Sequence, residues 1–246
     1  MKKSLPGIIM LSCAILVIFF TSCAQHPKPA GNNQQKQDSV QNVTDTVIKN
    51  AMQKKEAYLK ELKAMNTEKL VSQLTAESER GLEPFNSLAY AEAIARKKDD
   101  IDNYAGLIRN PTRTSLLALL ALRQKDSIFY REFNQPLRVQ VLTDALANAK
   151  LYNAFGLPHV KWEEAARAII SEGAAITDSL KSLLRNTKPA PVWGSEDYAE
   201  YAAYQYRVCD YALALLMAIN KQSFTMPKNP EERNRMINEL LGDKKG

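Results

Sequence analysis

The chain has 246 residues, of which 45% are hydrophobic and 24% are charged, and its formal net charge is +6 at pH 7. This is the composition of an ordinary globular protein. Charges of both signs are interspersed without an arginine-rich stripe, which argues against a nucleic-acid partner.

The first 23 residues have the pattern of a secretory signal. Lys2 and Lys3 precede an apolar run over 5–20, and the small residue Ser22 stands just before Cys23. The run is shorter than the roughly 20 apolar residues that a membrane-spanning helix needs. A short basic start, a short apolar core and a small residue before a cut site are typical of a signal peptide. The alternative is an uncut membrane anchor.

Ser22-Cys23-Ala24 resembles the end of a bacterial lipobox, although Phe20 stands where that motif usually has Leu. The resemblance implies that 1–22 is a cleaved signal peptide and that Cys23 carries lipid on its thiol and its amine. Such acyl chains anchor a protein firmly, since each buried CH₂ contributes about 0.8 kcal/mol. Ala24 after the cysteine resembles lipoproteins that are passed to the outer membrane. We therefore expect an exported protein, lipid-anchored in the cell envelope, at the outer membrane.

The remaining cysteine chemistry is sparse. Cys13 would leave with the signal and Cys23 would be acylated, so Cys209 would be the single thiol and no intramolecular disulfide could form. No Cys-x-x-Cys or His/Cys cluster indicates zinc. No Gly-rich phosphate loop, Ser-centred elbow or His-x-x-x-His pair is present. We expect no metal and no cofactor, and the sequence favours a non-enzymatic role.

A polar segment separates this N-terminus from the rest of the chain. Residues 24–43 are rich in Gln, Asn, Pro and Lys, which predicts a disordered tether after the lipidated Cys23. Apolar stripes at helical spacing follow. We expect a single all-helical domain over 44–243 and a frayed tail over 244–246. The predicted helices lie at about 47–62, 67–80, 84–94, 101–108, 114–122, 135–149, 162–172, 176–184, 196–220 and 230–241.

No period-2 strand pattern is found, so the predicted fold class is all-α without a sheet. The helix over 114–122 and the second half of the one over 196–220 are apolar nearly all round, which predicts that both are buried. Pro136-Leu137-Arg138-Val139 and Tyr206-Arg207-Val208 each lead into an Ala/Leu stripe. Both resemble the second helix of HEAT-type repeats, within 111–220, although no fixed period emerges. An irregular HEAT/armadillo-like array of paired antiparallel helices and a compact helical bundle stay open.

Aromatic residues cluster around two predicted loops, 152–159 and 186–194, and in the helix after the second loop. Tyr and Trp make binding hot spots because each combines apolar area with a polar tip. The alternative is that these rings fill gaps between helices. The candidate partner-binding residues are Trp193, Tyr198, Tyr201, Tyr204, Trp162 and His159.

Arg207 and Asp210 are spaced i, i+3 in an apolar segment, which predicts a structural ion pair on one helix face. Cys209 and His159 could form a nucleophile and base pair. The apolar surroundings of Cys209 instead predict a small buried hydrophobe.

Three functions stay open. The first is a non-enzymatic helical module that binds an envelope protein or peptide while acyl chains hold it on the membrane. The second is an envelope hydrolase of glycan or peptide that uses Glu163, Glu164 or Asp197 beside the aromatic residues. The third is a structural spacer or assembly factor without a small ligand.

Overall fold

A computed structural model of the chain describes residues 33–79, 85, 87–96 and 101–242. The predicted signal peptide, the lipidation site at Cys23 and the predicted tail 244–246 lie outside these residues. Within the described part, no helix combines the length and the apolar character that crossing a membrane requires.

The described chain is mostly helical, as predicted. It divides into two compact units, Met1–Ala51 and Met52–Gly246, and the first is helical from Asn33 as far as it is described. Residues 33–43 of the predicted tether are therefore helical backbone. The helices are α1 (Asn33–Ala64), α2 (Thr67–Glu79), α3 (Leu88–Ala95), α4 (Ile101–Leu107), α5 (Arg113–Lys125), α6 (Ser127–Glu132), α7 (Gln135–Asn148), α8 (Glu164–Glu172), α9 (Thr177–Leu183), α10 (Ser195–Tyr204), α11 (Val208–Ile219) and α12 (Pro230–Leu241).

Side-chain caps explain where several helices begin. An oxygen of the residue before the helix accepts a hydrogen bond from a free backbone N–H of the first turn. Asn66 caps α2, Asn134 caps α7 and Asn229 caps α12, at distances of 2.9, 3.2 and 2.9 Å. Asp126 accepts two such bonds, at 2.9 and 3.0 Å, and starts α6, which the sequence analysis missed.

Two helices lie at the centre of the core in the second unit. Residues 115–122 of α5 are all buried, and α5 contacts α2, α3, α4, α6, α7 and α8. Residues 208–216 of α11 are all buried as well, and α11 packs against α8, α9 and α12. A helix that is apolar on every face has to be covered on every face, which agrees with these contacts.

The prediction that the chain has no sheet is wrong. Gly156–Leu157 forms β1 and pairs antiparallel with β2, Lys161–Trp162. Each strand has two residues, too few to show an alternating pattern in the sequence. Trp162, which the apolar stripe assigned to a helix, therefore lies in β2, and α8 begins at Glu164.

The long helix predicted over 196–220 is broken. Tyr204 ends α10, Gln205 adopts a left-handed conformation with φ of 50°, and α11 begins at Val208. Residues 186–190 pair with the break, with Ala190 N donating to Tyr206 O at 2.8 Å and Val208 N donating to Lys188 O at 3.0 Å. These long-range bonds satisfy backbone groups that a continuous helix would have satisfied locally.

Candidate functional site

A short hairpin places His159 near the aromatic residues of α10. Gly156 has φ of +82°, and a Cβ there would lie 2.3 Å from the Lys161 carbonyl oxygen, so only glycine fits. Val160 N donates to Leu157 O at 3.1 Å, closing a four-residue turn over 157–160 in which His159 has φ of 67°. This turn carries His159 toward the end of α10.

His159 lies between a carboxylate and a phenol. Its Nε2 is 3.4 Å from Glu200 Oε1, and its Nδ1 is 3.3 Å from the Tyr206 hydroxyl. Burial lowers the pKa of His159 below its ordinary 6.5, and the charge of Glu200 opposes this shift only in part. The imidazole is therefore neutral at pH 7. Glu200 can only accept, so a proton on Nε2 would point to this carboxylate and leave Nδ1 to accept from the Tyr206 hydroxyl.

Tyrosine rings connect His159 to the core. The His159 ring is 4.8 Å from that of Tyr204, which stacks on Tyr206 at 5.2 Å. Tyr206 is fully buried, and its edge meets Tyr211 at 6.0 Å. Burial, reinforced by Glu200, raises the pKa of Tyr206 well above 10, so the phenol stays protonated. Tyr204 is half-buried and packs against the hydrophobic core.

The start of α10 exposes two large aromatic side chains. Trp193 is 63% exposed and Tyr198 is 57% exposed, and the Tyr198 ring lies 6.1 Å from that of the half-buried Tyr201. We call Trp193, Tyr198 and Tyr201 the aromatic surface. The backbone of Trp193 is fixed by Asn153, whose amide donates to Trp193 O at 2.6 Å and accepts from Trp193 N at 2.8 Å. The two predicted loops thus meet at this position.

Acidic residues accompany the aromatic surface. Glu196 is exposed in the first turn of α10, and Asp197 forms an ion pair with Lys161 of β2 at 3.0 Å. Glu200 faces His159. Trp162, next to Lys161, is partly buried and packs against the core. Helix α10 therefore carries three acidic residues and no basic one, and one of the three, Asp197, is paired with Lys161.

A buried charge cluster lies beneath this region. Arg207 and Asp210 form an ion pair in which the guanidinium meets both carboxylate oxygens, at 3.1 and 2.9 Å. Arg233 Nε lies 3.1 Å from Asp210 Oδ1 without the angle of a hydrogen bond, so these two groups attract as charges. Arg233 also donates to the Tyr204 carbonyl at 2.9 Å. Asp210 and Arg233 are fully buried, and the cluster ties α12 to the break between α10 and α11.

The structure does not bring Cys209 and His159 together as a reactive pair. Cys209 is buried, and its Sγ approaches Asp210 Oδ1 at 3.8 Å. Burial, followed by the charge of Asp210, raises the pKa of the thiol to about 11, which leaves it protonated. Among the described residues, His159 hydrogen-bonds to no serine or cysteine side chain.

Two of the three carboxylates considered for hydrolysis, Glu164 and Asp197, have cationic partners. Glu164 accepts from Arg123 at 3.0 Å, from Gln124 at 2.6 Å and from Arg167 at 3.1 Å. Asp197 is held by Lys161. No group of three or more His, Cys, Asp or Glu side chains in the described part of the chain could hold a metal ion.

Sequence reasoning missed Asn153, Glu200 and Arg233. Asn153 gave only a loop signal, and the two charged residues read as ordinary members of solvated helix faces. Their partners are 40, 41 and 23 residues away in sequence. Local spacing carries no information about such pairs.

No family model, curated protein or solved structure matches this chain.

Proposed function

We propose that this protein is an exported lipoprotein, anchored through Cys23 at the outer membrane of the cell envelope, whose helical body binds another envelope protein or peptide. The N-terminal pattern of Lys2, Lys3, an apolar run and Ser22-Cys23 supports the anchor. The binding role is non-enzymatic and needs no metal or cofactor.

We further propose that the body is a compact helical bundle and not a repeat array. In a solenoid each repeat contacts only its neighbours. Here α5 contacts helices from α2 to α8, with no single direction of stacking. This arrangement supports a compact bundle with α5 and α11 buried at its centre.

One observation carries the binding role. Trp193 and Tyr198 are each more than half exposed within the same loop and helix start, while Tyr206 and Tyr211 are buried. Exposed Trp and Tyr residues dominate the energetics of protein interfaces because they bury large apolar areas and keep a polar tip. The fixed backbone at Trp193 gives the surface a defined shape.

The charges indicate the chemistry of the partner. Glu196 and Glu200 belong to the same helix as Tyr198 and Tyr201, while Asp197 is paired with Lys161, and cations bind the faces of Trp and Tyr rings. We propose that the partner segment combines apolar residues with lysine or arginine. Complementary charge of this kind increases the association rate more than the affinity.

A photo-crosslinking residue at position 198 tests the binding role in the native envelope. We expect a reproducible protein or peptide adduct at Tyr198 and none at Leu240, which is 41% exposed on α12 and serves as the matched control. Trp193→Ala, combined with the photo-crosslinking residue at position 198, should reduce capture at least tenfold, because truncating a hot spot costs about 2 kcal/mol or more. Equal adducts at both positions would contradict a specific surface. Adducts between copies of this chain alone would favour the spacer or assembly role.

Metabolic labelling with an alkyne fatty acid tests the anchor separately. We expect the label in the wild-type protein and in Cys13→Ser, and its loss in Cys23→Ser. The matched variants differ only in which cysteine is removed. Label that persists in Cys23→Ser, or a mature protein that retains Met1, would contradict the lipoprotein proposal.

A further inference from the structure

A cavity lies between α5, α6, α7 and α8. Its volume is about 430 Å³, within the range of roughly 300–1,000 Å³ that is typical of small-molecule sites. Its lining is rich in hydrogen-bond donors. Arg123, Gln124, Ser127, Arg131 and Ser171 surround a floor made by Arg138 and Glu172.

The floor of the cavity is neutral. Arg138 donates to both oxygens of Glu172, at 2.8 and 2.9 Å, and the Tyr130 hydroxyl donates to the same carboxylate at 2.7 Å. The side chains of Arg138 and Glu172 are 4% and 1% exposed. The negative charge of Glu172 is therefore offset where it stands, and it does not repel an anion in the cavity.

The rim of the cavity is positive. Glu164 is the ion-pair partner of Arg123, but it also pairs with Arg167, so one carboxylate serves two guanidinium groups. Arg131 is exposed and donates from Nε to Ser127 O at 3.2 Å, and within the described part of the chain it forms no ion pair.

The arginines around the cavity outnumber their carboxylate partners. Arg138 is balanced by Glu172. Arg123 shares the single carboxylate of Glu164 with Arg167, which does not line the cavity. Arg131 forms no ion pair in the described part of the chain, so an anion with several oxygens, such as a phosphate, can accept hydrogen bonds from both Arg123 and Arg131. Guanidinium groups bind phosphate oxygens through paired hydrogen bonds, and Arg123 keeps N–H groups beyond the one it gives to Glu164.

We propose that this cavity binds the phosphate monoester of a small molecule about the size of a sugar phosphate. Arg123 and Arg131 hold the phosphate, and Gln124 and Ser127 supply neutral hydrogen bonds. The cavity volume leaves room for the group that carries the phosphate. This site does not depend on the aromatic surface or on the lipid anchor.

Calorimetry on the full chain in detergent tests the proposal with glucose 1-phosphate, inorganic phosphate and glucose as probes. We expect glucose 1-phosphate to bind and glucose not to bind. Arg131→Gln should weaken glucose 1-phosphate binding about tenfold, because it removes a charged donor without removing a buried group. Arg235→Gln, at an exposed arginine of α12, is the matched control and should leave binding unchanged.

The outcomes separate the sources of the phosphate. Tighter binding of glucose 1-phosphate than of inorganic phosphate, lost in Arg131→Gln, supports a phosphorylated metabolite or glycan end. Binding of inorganic phosphate alone would overturn the proposal of a phosphate monoester and would identify free phosphate as the ligand. Absence of binding by both phosphate probes, or equal affinity in wild type and Arg131→Gln, would overturn the site itself.

Discussion

Replacing Asp210 with asparagine should destabilise the protein more than any change to an exposed charge. Asp210 and Arg233 are fully buried, and Asp210 also receives the guanidinium of Arg207. Asparagine keeps the size of the side chain and removes its charge. Arg233 would then remain in the core as an unpaired cation, held only by backbone carbonyls of Tyr204, Pro227 and Lys228.

The expected cost follows from that burial. Removing one partner of a buried ion pair costs about 3–5 kcal/mol, because the remaining charge stays desolvated. The free energy of unfolding of a native protein is about 5–15 kcal/mol, so the loss is a large fraction of the total. With a urea dependence of about 2 kcal/mol per M, the midpoint of unfolding should fall by about 2 M.

Urea unfolding of the full chain, followed by circular dichroism, measures this shift. Asp178→Asn is the matched control, because Asp178 is 97% exposed in its ion pair with Lys181 and its loss should leave the midpoint unchanged. The double variant Asp210→Asn with Arg233→Met removes both buried charges and should recover most of the loss. An unchanged midpoint in Asp210→Asn, or a double variant less stable than the single one, would refute the reasoning.

Three further predictions concern single residues. Burial lowers the folded-state pKa of His159 below 6.5, so the folded state binds fewer protons than the unfolded state and stability should fall as pH drops below 6.5. His159→Gln should flatten this pH dependence in urea midpoints measured from pH 7 to pH 5. Gly156→Ala should cost about 2 kcal/mol or more in the same assay. Gly242→Ala, in the left-handed helical region with φ of +72° and open space around it, should cost about 1 kcal/mol. Equal costs would contradict the close contact at Gly156. Cys209 should resist a thiol reagent at pH 8 until urea unfolds the protein, and reaction in the native state would contradict its burial.

Features with a local cause could be predicted from the sequence. The starts of α2, α7 and α12 follow from Asn66, Asn134 and Asn229, whose side chains cap the first turn of the helix that comes next. The burial of α5 follows from apolar residues on all its faces. Both depend on residues within one or two turns of each other, so sequence spacing contains the information.

Features with a distant cause could not be predicted. The break at Gln205 depends on bonds from residues 186–190, and the hairpin at Gly156 depends on Lys161 and on Tyr211, whose hydroxyl donates to Gly156 O at 2.7 Å. From the sequence, the aromatic residues could be grouped only by how close they lie along the chain. Only the three-dimensional structure separates the exposed Trp193 from the buried Tyr206, because burial is set by the elements that pack against each ring.

The loop that carries Trp193 has a consequence for the kinetics of partner binding. Tyr152 N donates to Pro191 O at 2.8 Å and Cys209 N donates to Asn186 O at 2.9 Å, so the loop is held by the core along its length. Ordering a free loop residue costs about 1–2 kcal/mol of conformational entropy. In this loop that entropy is lost when the protein folds, before any ligand binds. Capture of a ligand by Trp193 should then proceed in one kinetic phase, with an observed rate that rises linearly with ligand concentration, since no slow rearrangement precedes contact.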